Sequence, residues 1–163
     1  MSELLVRIDD CLLHAQVLHT WQAAFAPRRI VLAHDGVAAD GRRAAHYRAL
    51  AEDDVAIDVS TVEAAAATLR AGGVWPRTLL VVGSAADALR LLDGGAAVSH
   101  VQVGGLHAAS GKPIAADVVV DVEAARALQA LLARGVTLEA RNLPGTPGVW
   151  IDAALLARLW PER

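Results

Sequence analysis

Apolar residues along this chain repeat with two periods, and the switches between them predict strands alternating with helices. Leu4, Val6 and Ile8 alternate with Leu5 and Arg7 before Asp9 and Asp10, the pattern of a strand ending in a polar turn. From Leu12 onward Leu13, Val17 and Ala24 lie near one helical stripe, and the two aspartates are placed to favour the positive end of such a helix. The alternation continues with a strand over 29–33, a helix over 38–50, a strand over 55–59 and a helix over 62–71. The run TLLVV at 78–82, closed by Gly83, predicts a strand buried on both faces, then a helix over 85–92 that Ser84 or Asp87 helps to start. Val101 and Val103 mark a strand ending at Gly104 and Gly105, and the following LHAASGKP is a loop rich in breakers. A short strand over 118–120 leads to a helix over 122–133 capped by Asp121 and ended by Gly135, then a strand over 136–140. A Pro/Gly turn over 142–148 precedes a terminal helix over 151–160.

Strands separated by helices of this length imply right-handed crossovers, so the expected fold class is α/β: a single domain over 1–163 in three layers, with a mostly parallel open sheet and helices on both faces. With 55% hydrophobic and 20% charged residues the chain is too apolar for disorder, and no apolar run reaches the roughly 18 residues of a membrane span. Fifteen Lys and Arg against 18 Asp and Glu give a net charge of -3, which supplies no field for a polyanion, so nucleic acid is not an expected partner. One cysteine, Cys11, and an N-terminus without a signal pattern point to the cytoplasm.

Ligands of open parallel sheets gather at the carboxyl ends of the strands, which here bring Asp9, Asp10, Cys11 and His14 together with His34, Asp35, Gly83, Ser84 and the 104–112 segment. His14 has two readings from position alone: a capping or half-buried histidine, or a nucleophile toward phosphorus. His19 lies on a different helix face and adds no metal pair, and no metal or cofactor is expected. Five residues, not four, separate Gly105 from Gly111 and Lys112, and Pro113 follows, so this is not a Walker loop; no G-x-G-x-x-G follows the first strand. Lys112, the only lysine, reads first as a solvated loop residue. His34 and Asp35 read as turn residues, and Trp75, Trp150 and Trp160 as packing residues rather than a base-stacking platform.

Residues 6 to 17, VRIDDCLLHAQV, resemble the VRIDDRLIHGQV segment of the mannose/fructose/sorbose family of phosphotransferase-system IIB subunits. The likeness continues through VAAD at 37–40, VQVGGLHAASGK at 101–112 and ARGVTLEARNLP at 133–144, and so covers nearly the whole chain. The resemblance implies a cytoplasmic phosphoryl carrier, peripheral to the membrane through IIC and IID subunits. The histidine at position 14 would accept phosphate from a IIA protein and pass it to a sugar, the activity of a protein-histidine phosphotransferase. Asp9, Asp10, Cys11, Ala15 and Gln16 would form its supporting loop, with Asp9 or Asp10 either orienting the loop or ring or merely capping. Arg7, Arg28, Gly104, Gly105 and Lys112 are candidates for docking or phosphate contacts, although Arg7 belongs to the strand.

Two positions depart from the family segment: Cys11 stands where it has arginine and Ala15 where it has glycine. A cation beside a transferring phosphoryl group stabilises its charge. The departure at Cys11 therefore leaves open a second reading, a non-transferring regulatory or IIA-binding protein on the same fold. A small-molecule binding protein is a weaker third. Cys11 itself reads first as an inert thiol, then as a redox-sensitive thiol with a lowered pKa, and last as a phosphoryl acceptor. Trp150 and Trp160 are candidates for a subunit contact in a homo-oligomer or with a membrane component.

Overall fold

Strand and helix alternate along the chain much as the two apolar periods require. In the computed structural model, which describes residues 3–15, 17–52, 54–72 and 75–161, the strands are β1 (Leu4–Asp9), β2 (Arg29–Ala33), β3 (Ala56–Ser60), β4 (Thr78–Val82), β5 (His100–His107), β6 (Lys112–Ala115), β7 (Val118–Val120), β8 (Thr137–Ala140) and β9 (Val149–Ile151). A π-helical turn, Val17–Trp21, runs into α1 (Gln22–Phe25); the other helices are α2 (Asp35–Ala38), α3 (Gly41–Arg48), α4 (Val62–Ala71), α5 (Ala85–Asp93), α6 (Val122–Ala133) and α7 (Ala153–Leu159).

The sheet order is β3-β2-β4-β1-β5-β7-β6, with β8 paired to β5 and β9 to β8. All pairs are parallel except β6 with β7 and β8 with β9. Strand alternation divides the interior into two cores. Val31, Ala33, Leu80 and Val82 face one with Leu91, Leu128 and Leu156, while Ile30, Leu32, Leu79 and Val81 face the other with Val17, Trp21 and Val37. Each fully buried leucine or valine is worth about 1.5–3 kcal/mol over an exposed one, so the central strands hold the sheet and their carboxyl ends are fixed supports for loops. The arrangement is the expected three-layer α/β architecture, and among the described residues no helix is long and apolar enough to cross a membrane.

The structure corrects several boundaries. The expected helix over 38–50 is two helices, because Asp40 caps α3 by accepting from the Arg42 and Arg43 amides, each at 3.1 Å. The expected terminal helix from 151 starts at Ala153 behind the cap Asp152, and 149–151 instead pairs with β8. The LHAASGKP segment is less a loop than the turn of a β structure: β5 continues through Gly104 and Gly105 to His107, and Lys112–Ala115 pairs with β7. The expected helix from Leu12 starts later, as the π-helical turn Val17–Trp21 running into α1; Leu12 to His14 form an irregular loop in which Leu12 has φ +59°, and that loop carries the candidate site.

Candidate functional site

The site is built on the end of β1. Alternation points Arg7 and Asp9 to the same side of the strand, and both are buried, at 0% and 2% exposure. The Arg7 Nη2 to Asp9 Oδ2 distance is 3.1 Å, and Nε donates to the same oxygen at 3.3 Å. Nη1 donates to Gln102 Oε1 at 2.9 Å and to the Arg141 carbonyl at 3.0 Å, and Nη2 also to the Asn142 carbonyl at 3.1 Å. These bonds match the five N–H groups that a guanidinium offers. The Trp21 ring lies 5.2 Å from the Arg7 Cζ. Burial lowers the Arg7 pKa from its ordinary value, and the neighbouring Asp9 works in the opposite direction.

Asp9 spends its other oxygen on the loop: Oδ1 accepts from the Cys11 amide at 3.0 Å. The Leu12 amide donates to the Asp9 carbonyl and the Asp10 amide to the Gly105 carbonyl, each at 3.0 Å. Leu12 and Leu13 bury their side chains in the second core. The loop is thus anchored on the amino-terminal side of His14, whose side chain is 33% exposed and whose Nε2 lies 3.4 Å from Asp9 Oδ2. A carboxylate at Nε2 favours the tautomer with its proton there, which leaves the lone pair on Nδ1.

A second cluster lies beside it. Asp10 Oδ2 accepts from the His107 amide at 2.6 Å, and Asp10 Oδ1 is 2.7 Å from His107 Nδ1. The hydrogen bond that the His107 ring donates to Asp10 raises the His107 pKa above its ordinary value. Cys11 Sγ lies 3.6 Å from Asp10 Oδ1 and 4.0 Å from His107 Nδ1. Desolvation first, and then the Asp10 and Asp9 carboxylates, push the Cys11 thiol above its ordinary pKa. This runs against the second reading of Cys11, a thiol acidified by a helix terminus, because no helix begins at Cys11 and its neighbours are anions. Asp10 and His107 line a cleft of about 290 Å³ together with Ser84, Leu106 and Asp121.

Other residues singled out from the sequence fall elsewhere. Ala15 is exposed next to His14, and Gln16 lies outside the described residues. Arg7 is not a docking or phosphate contact, since its guanidinium is sealed in the core. Arg28 precedes β2 at the amino ends of the parallel strands, the edge opposite His14, with its amide donating to the Arg77 carbonyl. Lys112 donates to the Leu159 carbonyl and sits over the Trp160 ring at 5.7 Å, so it serves α7 rather than the His14 loop. His34 caps α2 by accepting from the Val37 amide at 3.1 Å, and Asp35 accepts from the Val62 amide at 2.9 Å, as turn residues do. Trp150 is 63% exposed.

Gly104 and Gly105 act by making room. The β1–β5 register slips between Ile8 and Asp9, and a Cβ on Gly104 would overlap the Arg7 guanidinium. A Cβ on Gly105 would stand 3.0 Å from Asp9 Oδ1. Gln102 joins the site through its register: Arg7, Gln102 and Glu139 are partners on β1, β5 and β8, each a polar residue between two apolar neighbours in its strand, and that pattern is the signal for it in the sequence. The His107 contact with Asp10 required the strand to run on past its glycines.

Comparison with known proteins adds to this geometry. Residues 3–156 match the family described as the PTS system sorbose subfamily IIB component. The chain is 31% identical over 148 residues to the fructose-specific EIIB component of the phosphotransferase system of Bacillus subtilis (strain 168), covering 88% of this chain and 90% of that protein. It is 33% identical over 147 residues to the mannose-specific EIIAB component of Escherichia coli (strain K12), covering 88% of this chain and 45% of that protein. The crystal structure of the IIBSor domain of the sorbose permease from Klebsiella pneumoniae superposes with a TM-score of 0.79 at 26% identity, over 91% of this chain and 93% of that one.

Proposed function

The chain belongs to the sorbose-subfamily IIB components of the sugar phosphotransferase system, and from that membership and the loop around His14 we propose that it carries a phosphoryl group on His14. In this reading the donor is a IIA protein and the acceptor a sugar handled by IIC and IID membrane subunits. The observation that carries it is the histidine itself: a ring one-third exposed at the carboxyl edge of the sheet, with a buried carboxylate at Nε2.

The Nδ1 lone pair attacks phosphorus in line; the new N–P bond forms as the donor's N–P bond breaks and its electron pair returns to the donor imidazole. Phosphorylation at Nδ1 leaves the Nε2 proton facing Asp9, whose negative charge offsets the positive charge on the substituted ring. In the second transfer a sugar hydroxyl oxygen forms the P–O bond as the P–N bond breaks, the pair returns to Nδ1, and the hydroxyl proton leaves to a base on the membrane side. The Arg7 ion pair holds Asp9 at a fixed height beneath the ring and keeps its charge tolerable in the core.

The test is labelling from phosphoenolpyruvate through the general phosphotransferase proteins and a cognate IIA. Wild-type protein takes up label and His14→Ala does not. Equal label on both removes His14 from the mechanism. Cys11, without a cation of its own in the loop, favours the second reading of a IIA-binding regulator. That reading wins if the wild type binds IIA and passes no phosphate to sugar while Cys11→Arg gains the transfer.

A further inference from the structure

We propose that Asp10, Cys11 and His107 form a binding site for a thiophilic divalent cation of the zinc type, beside the cleft that Asp10 and His107 line. Their ligand atoms Oδ1, Sγ and Nδ1 are mutually 3.6, 4.0 and 2.7 Å apart, and the three residues converge within 4.8 Å. A tetrahedral ion with bonds of about 2.0–2.3 Å needs donor separations of roughly 3.3–3.6 Å, so shifts of well under an ångström on exposed side chains close the site.

The donors come from two segments that the backbone already ties together. Asp10 Oδ2 is held by the His107 amide at 2.6 Å, which aims Oδ1 at the other two donors, the His107 ring and the Cys11 sulfur; the Asp10 amide is fixed on the Gly105 carbonyl at 3.0 Å, and the Cys11 amide on Asp9 at 3.0 Å. A thiolate with an imidazole and one carboxylate selects zinc, cobalt or cadmium over magnesium and calcium, which require oxygen donors. Among the described residues no lysine or arginine side chain is bonded to Asp10 or Cys11, and the pairing that the ion has to replace is that of His107 Nδ1 with Asp10 Oδ1 at 2.7 Å. On binding, two protons leave to solvent, the Sγ–H proton as the sulfur–metal bond forms and the Nδ1 proton that His107 shares with Asp10 Oδ1 as the nitrogen–metal bond forms, so that His107 ligates as neutral imidazole protonated at Nε2. Three protein ligands leave a fourth position for water or an incoming oxygen.

An ion here would put positive charge on the same loop as the phosphoryl position. That consequence rests on the reading of His14 given above; the binding does not.

Cobalt(II) is the probe, added to the purified full chain under reducing conditions and followed by its absorption. One equivalent should bind with a thiolate-to-cobalt charge-transfer band, and zinc should displace it. Cys11→Ser should abolish the band, while His107→Gln and Asp10→Asn should each weaken binding by about tenfold or more with the fold intact by circular dichroism. His14→Ala should leave the band unchanged, which separates this site from the phosphocarrier reading. A band that His107→Gln and Asp10→Asn leave at full affinity would mean a solitary thiol, and absence of the band would remove the sulfur; either result overturns the proposal.

Discussion

The guanidinium of Arg7 fills the volume in which any side chain at residue 104 would stand. A buried cation, its carboxylate partner and a glycine on the neighbouring strand therefore form one unit, and the Asp9 oxygen that meets His14 is the oxygen that meets Arg7.

Gly104→Ala should destabilise the protein by about 1–3 kcal/mol through overpacking, because the atoms in its way belong to a side chain with no free rotamer space. Arg7→Met should cost more, about 3–5 kcal/mol, since it leaves the Asp9 carboxylate buried without its ion partner. Urea unfolding followed by far-ultraviolet circular dichroism measures both. If Arg7→Met matched wild type, the pair would contribute nothing to the fold.

Asp9→Asn should slow phosphoryl acceptance by about a hundredfold or more, in line with the loss seen when the carboxylate that fixes a reacting imidazole's tautomer is removed elsewhere. Asp9 is a positioning residue, so the informative readout is the ring: nitrogen-15 shifts of His14 should show its neutral tautomer shifting away from the Nε2-protonated form. A slowed variant with an unchanged tautomer would assign the loss to the weakened fold, since Asp9→Asn also strands Arg7.

Elements bounded by strong local signals are legible in the sequence. The run at Thr78–Val82 has β-branched and leucine residues closed by glycine, and Val122–Ala133 has Asp121 as its cap and Gly135 at φ +83° just beyond it. The carboxyl-edge address of His14 was legible too. What escaped was decided by long-range contacts. The Leu12 stripe has helical spacing, but the first helical element is Val17–Trp21, and Leu12 and Leu13 reach the second core from an irregular loop pinned to Asp9. The glycines of β5 look like a strand end, but they are open space for Arg7 and Asp9, side chains nearly 100 positions away. Lys112 and Arg28 could be ranked only once the strand directions were known.

Stability should fall on acidification partly through Asp35. Its carboxylate accepts from the Val62 amide and pairs with Arg90 at 2.8 Å, and the amide bond is the main cause of its lowered pKa. A depressed folded-state value means that this contribution is fully present above the ordinary aspartate range and is lost as pH falls through the lowered value. Because the group is about half exposed, the effect is small. Asp35→Asn should therefore lower the melting temperature slightly at neutral pH, and the gap from wild type should narrow as the solution is made acidic. A gap that widened toward acid would reverse the sign of the linkage.

Leu12 holds the His14 loop by a conformation that its residue type resists. Its φ of +59° is a region where a side chain costs roughly 1–2 kcal/mol, yet Leu12 stays there because it is buried at 6% exposure and belongs to the second core. Two truncations separate these effects. Leu12→Ala removes the packing and keeps most of the strain, whereas Leu12→Gly removes both. Both should destabilise, by about 2–5 kcal/mol for the alanine variant. At an ordinary position glycine is the worse of the pair by about 0.5–1 kcal/mol; here the order should invert, with glycine more stable than alanine. Denaturant midpoints of the two variants, taken with equal slopes, decide it. If alanine came out ahead by its usual margin, the backbone at residue 12 would not be under strain, and packing alone would account for the position of the His14 loop.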